Sequence, residues 1–473
     1  MTCQNIEMFM STQIKQFIAL AAVALCISVT GYGQKAAKQA VEERNVRAHM
    51  EFLASDAMQG RGSGTQFERI TAEYVGSQFM QFGLEPAGDV IGGKTMFVQT
   101  ASLSRGGFAA VPTMKIGATS LEHGKEMLVL RTNAGSASGP LQKLAAGAKA
   151  NAGAAVFISS SAADQRALTI ELQGYLTSGA SIVIVEETPQ LRTNWAAMSA
   201  RRVAFTVSTA KPAVMVAVSK ETAASLANAA DGTTVEFGGT LSPVQVQLSW
   251  NAVGKITGSD AKLGSEVILL SSHLDHLGVR PNNAGDDKIF NGADDDASGT
   301  AAVIELARVI GAGKKPKRTV YFVCFGSEES GGIGSNFFAN NLSFPKEKLI
   351  ANLQWEMIGR PDAKVKPEEL WLTGYERSNL GPELAKRGAK LLQDPHPSEN
   401  FFQRSDNYTL ARQGIIAHTV SSFGLHTDYH RASDEIKTID FVHMTRSINS
   451  MIGPIEWLAN SDFRPEWNAG MKP

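Results

Sequence analysis

His273 and Asp275, in the run His273-Leu274-Asp275, place an imidazole and a carboxylate side by side, and further acids and a second imidazole follow at Asp294-Asp295-Asp296, Glu328-Glu329, Glu356 and His430. Taken in chain order, His273, Asp295, Glu329, Glu356 and His430 are all metal-ligand types, with Asp275 and Glu328 beside them. Imidazoles and carboxylates without thiolates suit zinc or a similar divalent ion, and one shared carboxylate allows two ions about 3.5 to 4 Å apart. Glu328 and Glu329 are adjacent at the end of an apolar run, so they cannot both point into a sheet. They can both face a metal site, one as ligand and one as base.

The elements that must position these groups are legible as apolar runs. Residues 265–272 (SEVILLSS) read as a buried strand, so His273 and Asp275 emerge at its C-terminal end, where open α/β sheets keep their sites. Val303, Ile304, Ala307 and Ile310 have helical spacing, which puts the three aspartates just before the N-terminus of a helix over 297–310. Residues 319–325 (TVYFVCF), 350–355 (IANLQW) and 414–420 (GIIAHTV) read as further strands. The first leads to Glu328-Glu329, the second delivers Glu356, and the third leads into Gly424-Leu425-His426-Thr427-Asp428-Tyr429-His430. Strands alternating with helices predict an α/β fold with a mainly parallel mixed sheet and helices on both faces.

With these motifs in place, HLD at 273, GADDDASG at 292, SEE at 327, WEMIGR at 355 and GLHTDYH at 424 followed by Asp434, the chain resembles the co-catalytic zinc aminopeptidases and glutamate carboxypeptidases. The resemblance extends to residues 50–64 and 83–87 and to the stretch NAVGKITG at 251. It implies a zinc-exopeptidase-like fold holding two zinc ions. His273 would bind one ion and His430 the other, Asp295 would bridge them, and Glu329 and Glu356 would each complete one. Asp275 would orient the His273 ring. Glu328 would act as general base on a metal-bridging water, and Tyr429 would donate a hydrogen bond to the oxyanion. A cis peptide between Asp295 and Asp296 is also implied. Position 356 departs from the family pattern, which more usually has Asp there. His276 reads as a loop histidine, Asp406 as a residue near the substrate pocket, and His426 and Asp428 as less suited to ligation than His430.

The resemblance therefore points to a zinc-dependent exopeptidase, an aminopeptidase first, acting on peptide substrates. Two rivals share the fold. A glutaminyl cyclase-like enzyme uses one zinc and generally lacks the first histidine, whereas His273 stands in an intact HLD. A non-catalytic binding ectodomain would have lost ligands, whereas every ligand position here is filled. No HExxH and no G-x-S-x-G occurs in the sequence, which speaks against a single-helix zinc protease and a serine hydrolase.

With 473 residues, 43% hydrophobic and 19% charged, the chain is long enough for two domains with proper cores. A net charge of −1 argues against nucleic acid and against electrostatic docking on a membrane. Lys15 precedes an apolar stretch over 17–29 that is too short to span a membrane, and Gly31-Tyr32-Gly33-Gln34 follows as a small-residue cleavage region. Residues 1–34 thus read as a signal peptide, with a secreted or periplasmic location and no membrane span in the mature chain. Cleavage would leave Cys324 as the remaining cysteine, a buried one in mid-strand. Residues 35–104 read as the N-terminal part of the catalytic domain and 250–473 as its main part. Between them, residues 105–249 change to alanine, serine, glycine and short β-branched runs. This stretch loosely resembles a protease-associated domain, a smaller β-rich insertion.

Overall fold

A computed structural model describes residues 40–473, apart from 146, 161, 163, 164, 208 and 209. Residues 1–34, read from the sequence as a signal peptide, lie outside the described residues. The chain forms two compact units. One comprises the described residues up to Gln99 with Asn251–Ser335 and Asn341–Pro473, and the other comprises Thr100–Trp250 with Asn336–Asn340.

In the first unit, four parallel strands stand side by side in the order Thr319–Phe325, Val267–His273, Leu349–Trp355 and Ala417–Ser421. Antiparallel strands flank them, Gln245–Ile256 on one side and Leu370–Leu372 on the other. Every residue of the four parallel strands is buried, as their nearly continuous apolar composition requires of strands covered on both faces.

The few polar residues in these strands show which helix covers which face, because successive side chains alternate across a sheet. Ser272 meets Thr300 of helix Gly299–Ala312 at 3.2 Å. Ser271 points the other way with its register partner Gln354, itself aligned with Thr419, and Thr419 donates to Asn407 of the short helix Asn407–Ala411. Helix Gly299–Ala312 also packs against Glu43–Leu53, Gln66–Gln81 and Phe441–Asn460. Its first residue must be glycine, since a Cβ there would come within 2.2 Å of the Trp355 carbonyl oxygen. That close approach brings the helix start down onto the strand that ends at Glu356.

The second unit has an eight-stranded mixed sheet and its own core. Ile182 and Ile184 belong to one buried cluster, with Ala223 and Leu226 of helix Lys220–Asn228. Val183 and Val185 belong to another, with Leu168 and Leu172 of helix Gln165–Thr177. The period of two along the strand is what a sheet covered on both sides produces. Among the described residues, no helix is long and apolar enough to cross a membrane.

His418, on strand Ala417–Ser421, is fully buried, with Nδ1 2.7 Å from the Thr373 carbonyl oxygen and Nε2 2.7 Å from the Ser378 hydroxyl. The carbonyl can only accept, so Nδ1 carries the proton and Nε2 accepts. Burial lowers the pKa from 6.5 to about 4. A depressed histidine pKa contributes stability that is present above the unfolded value and lost as pH falls through the folded one, here about 3 kcal/mol between pH 6.5 and 4. Denaturant unfolding from pH 7 down to 4.5 should show the wild type losing more stability than His418→Gln. Parallel losses would contradict this reading of His418.

Candidate metal centre

The turn that leads into helix Gly299–Ala312 buries three successive carboxylates, and the structure uses them differently. Asp296 is consumed by the backbone. Its Oδ2 accepts the N–H of His273 at 3.1 Å, and its Oδ1 accepts those of Gly299 and Met357, both at 3.0 Å. Asp294 accepts the N–H of Gly359 at 2.7 Å and meets His426 Nε2 at 2.9 Å. The Asp295–Asp296 peptide is cis. Asp434 receives the backbone N–H groups of Asp294 and Asp295 at 3.0 and 3.1 Å.

Asp295 alone directs both carboxylate oxygens at imidazoles. Oδ1 lies 3.1 Å from His273 Nε2, while Oδ2 lies 3.3 Å from His430 Nε2 and 3.8 Å from His276 Nδ1. Two sets of potential ligand atoms therefore meet at one carboxylate: His273, Asp295 and Glu356 on one side, and His276, Asp295 and Glu329 on the other. His430 Nε2 joins the second set, 3.1 Å from Glu329 Oε1. The structure thus brings together His273, Asp295, Glu329, Glu356 and His430, including the glutamate at 356.

It also brings in His276, which the sequence reading left in a loop. The ring is fully buried, with Nδ1 3.0 Å from Glu329 Oε1. The available sequence signal was a second imidazole directly after His273-Leu274-Asp275. Spacing alone could not show that the chain turns back after Asp275. Gly292, at φ +57°, leaves room for the ring, since a Cβ there would come within 2.4 Å of it.

Three of the non-glycine residues in the left-handed region lie at the ligand-bearing turns: Ser327 at φ 54°, Met357 at 51° and His430 at 56°. Such conformations cost energy and persist where surrounding contacts impose them. Ser327 is held by its hydroxyl donating to Glu68 at 2.7 Å. Arg61 supplies a further brace that the sequence did not announce. Its buried guanidinium donates to the carbonyl oxygens of Leu53, Leu274, Asn291 and Gly292 at 2.6 to 2.9 Å, tying the histidine loop to the aspartate turn.

The electrostatics are those of acids crowded out of water. Burial pushes the Glu356 and Asp406 carboxyls up to about 7 and raises Glu328 well above its ordinary value. Burial works in the same direction on Glu329, but His276 and His430 overcome it and hold the carboxyl at about 2. His430, despite burial, is raised to about 10 by Asp295 and Glu329. Among the described residues, His273 Nε2, both nitrogens of His276, Glu329 Oε1 and Glu356 Oε2 are buried without a hydrogen-bond partner. Buried polar atoms in native proteins are normally paired. Unpaired imidazole nitrogens and carboxylate oxygens converging from several strand ends are the donor set that a divalent ion such as zinc fits.

Around this set, Asp275 does more than face a ring. Its carboxylate is 3.7 Å from His273 Nδ1, which lies nearer, at 3.2 Å, to the Asp275 carbonyl oxygen. The carboxylate accepts the N–H of Glu328 at 2.9 Å and the Ser63 hydroxyl at 2.5 Å. It therefore joins the two glutamates to the histidine loop. Tyr429 is half-buried and stacks on His430 with ring centroids 3.9 Å apart. Asp428 is engaged by Arg360 at 2.7 Å, and Arg360 also holds Asp434, so His426 and Asp428 brace the loop from behind.

Opposite consequences follow for two neighbouring acids. Asp296→Asn replaces an acceptor of several buried N–H groups with a side chain that offers one oxygen, and should cost about 2 to 4 kcal/mol of stability with or without metal. Asp295→Asn gives up its ion pairs with His273 and His430 but no backbone hydrogen bond, so it should destabilise the metal-free protein less than Asp296→Asn while lowering its zinc content. Thermal unfolding with and without chelator, together with metal analysis, checks both. Equal destabilisation of the metal-free forms would contradict the division of labour between the two aspartates.

Residues 251–452 match the profile of peptidase family M28. Leupeptin-inactivating enzyme 1 of Streptomyces exfoliatus is 34% identical over 24% of this chain and 23% of its own length. A probable zinc metalloprotease of Pyrenophora teres f. teres is 24% identical over 47% of this chain and 55% of its own. The chain thus spans from about a quarter to about half the length of these relatives. Among solved structures, an aminopeptidase from Aneurinibacillus sp. strain AM-1 aligns over 92% of this chain and 96% of its own, with 21% identity and a TM-score of 0.48. The chain carries, over residues 251–452, a peptidase family M28 domain.

Proposed function

We propose that the protein is a zinc-dependent exopeptidase, an aminopeptidase acting on peptides, with two zinc ions bridged by Asp295. The observation that supports this most directly is the pair of Asp295 oxygens, one 3.1 Å from His273 and the other 3.3 Å from His430, each beside its own glutamate. His273 and Glu356 would hold one ion, and His430 and Glu329 the other. Zinc bound there supplies Lewis acidity that activates water and polarises a peptide carbonyl. The names of the relatives, zinc metalloproteases and aminopeptidases among them, agree with this chemistry.

The chain's own groups have suitable roles. Glu328 leaves the strand next to the ligand Glu329, with its backbone held by Asp275. Its raised pKa, due first to burial, suits a base that takes a proton from the attacking water and returns it to the leaving amine. Tyr429, whose hydroxyl burial keeps protonated, would donate to the developing oxyanion. A recess beside Glu356 is walled by Trp371, Phe401, Phe423 and Tyr429. The apolar run after Lys15 supports export to a secreted or periplasmic location, with a mature chain beginning near Lys35.

Glu328→Gln should lower kcat by about 100-fold or more while zinc content stays at the wild-type level, since a base beside a ligand moves protons and does not coordinate. Loss of zinc in that variant would exchange the roles of Glu328 and Glu329. Chelation should abolish cleavage of free peptides, and N-acetylated peptides should resist the holoenzyme. Equal cleavage of both would contradict the aminopeptidase reading. Removing the metal should also lower Tm, because an ion that binds only the folded state stabilises it by about 4 kcal/mol at a thousandfold excess over Kd.

A further inference from the structure

The two halves of the centre are not equivalent. We propose that His276 is a ligand, so that the Glu329 half is closed by protein groups, namely His276, His430, Glu329 and Asp295. The half built from His273, Glu356 and Asp295 then keeps an open position. This inference rests on the zinc reading above.

Both imidazoles lie close to the same two carboxylate oxygens. Glu329 Oε1 is 3.0 Å from His276 Nδ1 and 3.1 Å from His430 Nε2, and Asp295 Oδ2 is 3.8 and 3.3 Å from the same two nitrogens. Ligand atoms at zinc distances of about 2.0 to 2.2 Å, arranged tetrahedrally, lie about 3.3 to 3.6 Å from one another. The measured separations bracket that value. The two rings approach the shared oxygens from different directions, with centroids 5.7 Å apart and planes 66° apart.

Three buried histidines near the same sheet are held differently. His396, His418 and His443 are also buried, and each has a hydrogen-bond partner at both ring nitrogens. His276 is completely enclosed, yet its Nδ1 faces only the Glu329 and Asp295 carboxylates, at 3.0 and 3.8 Å without hydrogen-bond geometry, and its Nε2 has no partner among the described residues. The chain makes room for it with Gly292, where any side chain would strike the ring. A zinc with four protein ligands is of the structural type, whereas a catalytic zinc keeps a position for water or substrate. The aromatic recess opens beside Glu356, in the other half. Entry of substrate and the open coordination position thus fall on the same side, and the Glu329 half holds the second ion in place.

The test is metal binding by the full chain. Metal-depleted wild type titrated with Zn2+ against a competing chelator should take up two ions in unequal steps. In His276→Ala the tighter step should weaken by at least about 10-fold, the loss expected even for an outer partner of a ligand. With Co2+ in place of zinc, the visible spectrum of the variant should also shift, as water takes the place of an imidazole nitrogen. Two steps of wild-type affinity and an unchanged Co2+ spectrum in His276→Ala would overturn the proposal and leave the zinc reading intact. A wild type that binds no zinc would overturn both. If the variant does not fold, zinc-edge X-ray absorption of the wild type decides: three imidazoles shared by two zincs support the proposal, and two imidazoles overturn it.

Discussion

Placing three consecutive aspartates out of water is the constraint on which the catalytic unit depends. An isolated buried carboxylate is costly, so each must be met by donors or cations. Asp296 is met by backbone N–H groups from the ends of three different elements, and Asp294 by the Gly359 N–H and His426. What remains is Asp295, whose oxygens face only imidazoles. The turn therefore solves two problems together. Its outer acids fasten the strand ends to one another, and in doing so they hold the middle acid in a fixed position between two groups of ligands.

The rest of the unit is arranged to make that turn possible. Parallel strands deliver His273, Glu329, Glu356 and the loop of His430 to the same edge of the sheet, because crossover helices return every strand in the same direction. Gly299 allows the helix start to descend onto the Trp355 carbonyl, and Arg61 gathers four carbonyl oxygens from the loops around the site. Asp275 couples the histidine loop to the glutamate turn through the Glu328 N–H. These groups touch no substrate, yet a ligand set drawn from five separate chain segments needs such braces to keep its spacing.

Much of this was legible in the sequence, for physical reasons. Buried parallel strands are continuous apolar runs, so Val267–His273, Thr319–Phe325 and Leu349–Trp355 stood within two residues of where periodicity put them. Ligand-type residues directly after such runs could be collected as one set, Glu356 among them. The strand after Gly414 was shorter, Ala417–Ser421, because the backbone N–H groups of Gly414 and Ile415 still bond back to Ala411 and Leu410 at the end of the preceding helix. What the sequence concealed were interactions made through the backbone. Nothing in the residue type separates Asp296, which binds N–H groups, from Asp295, which binds none among the described residues. Arg61 sat in a glycine-rich turn with nothing to mark its four carbonyl partners, and the room for His276 is made by Gly292, which spacing does not encode.

The central claim is that Asp295 bridges two metal ions. Crystals of the zinc-loaded protein measured on either side of the zinc absorption edge test it without reference to activity. The account predicts two anomalous peaks about 3.5 to 4 Å apart, one beside His273 and Glu356 and one beside Glu329 and His430, with an Asp295 oxygen bonded to each. A single peak, or two peaks of which either makes no bond to Asp295, would contradict it.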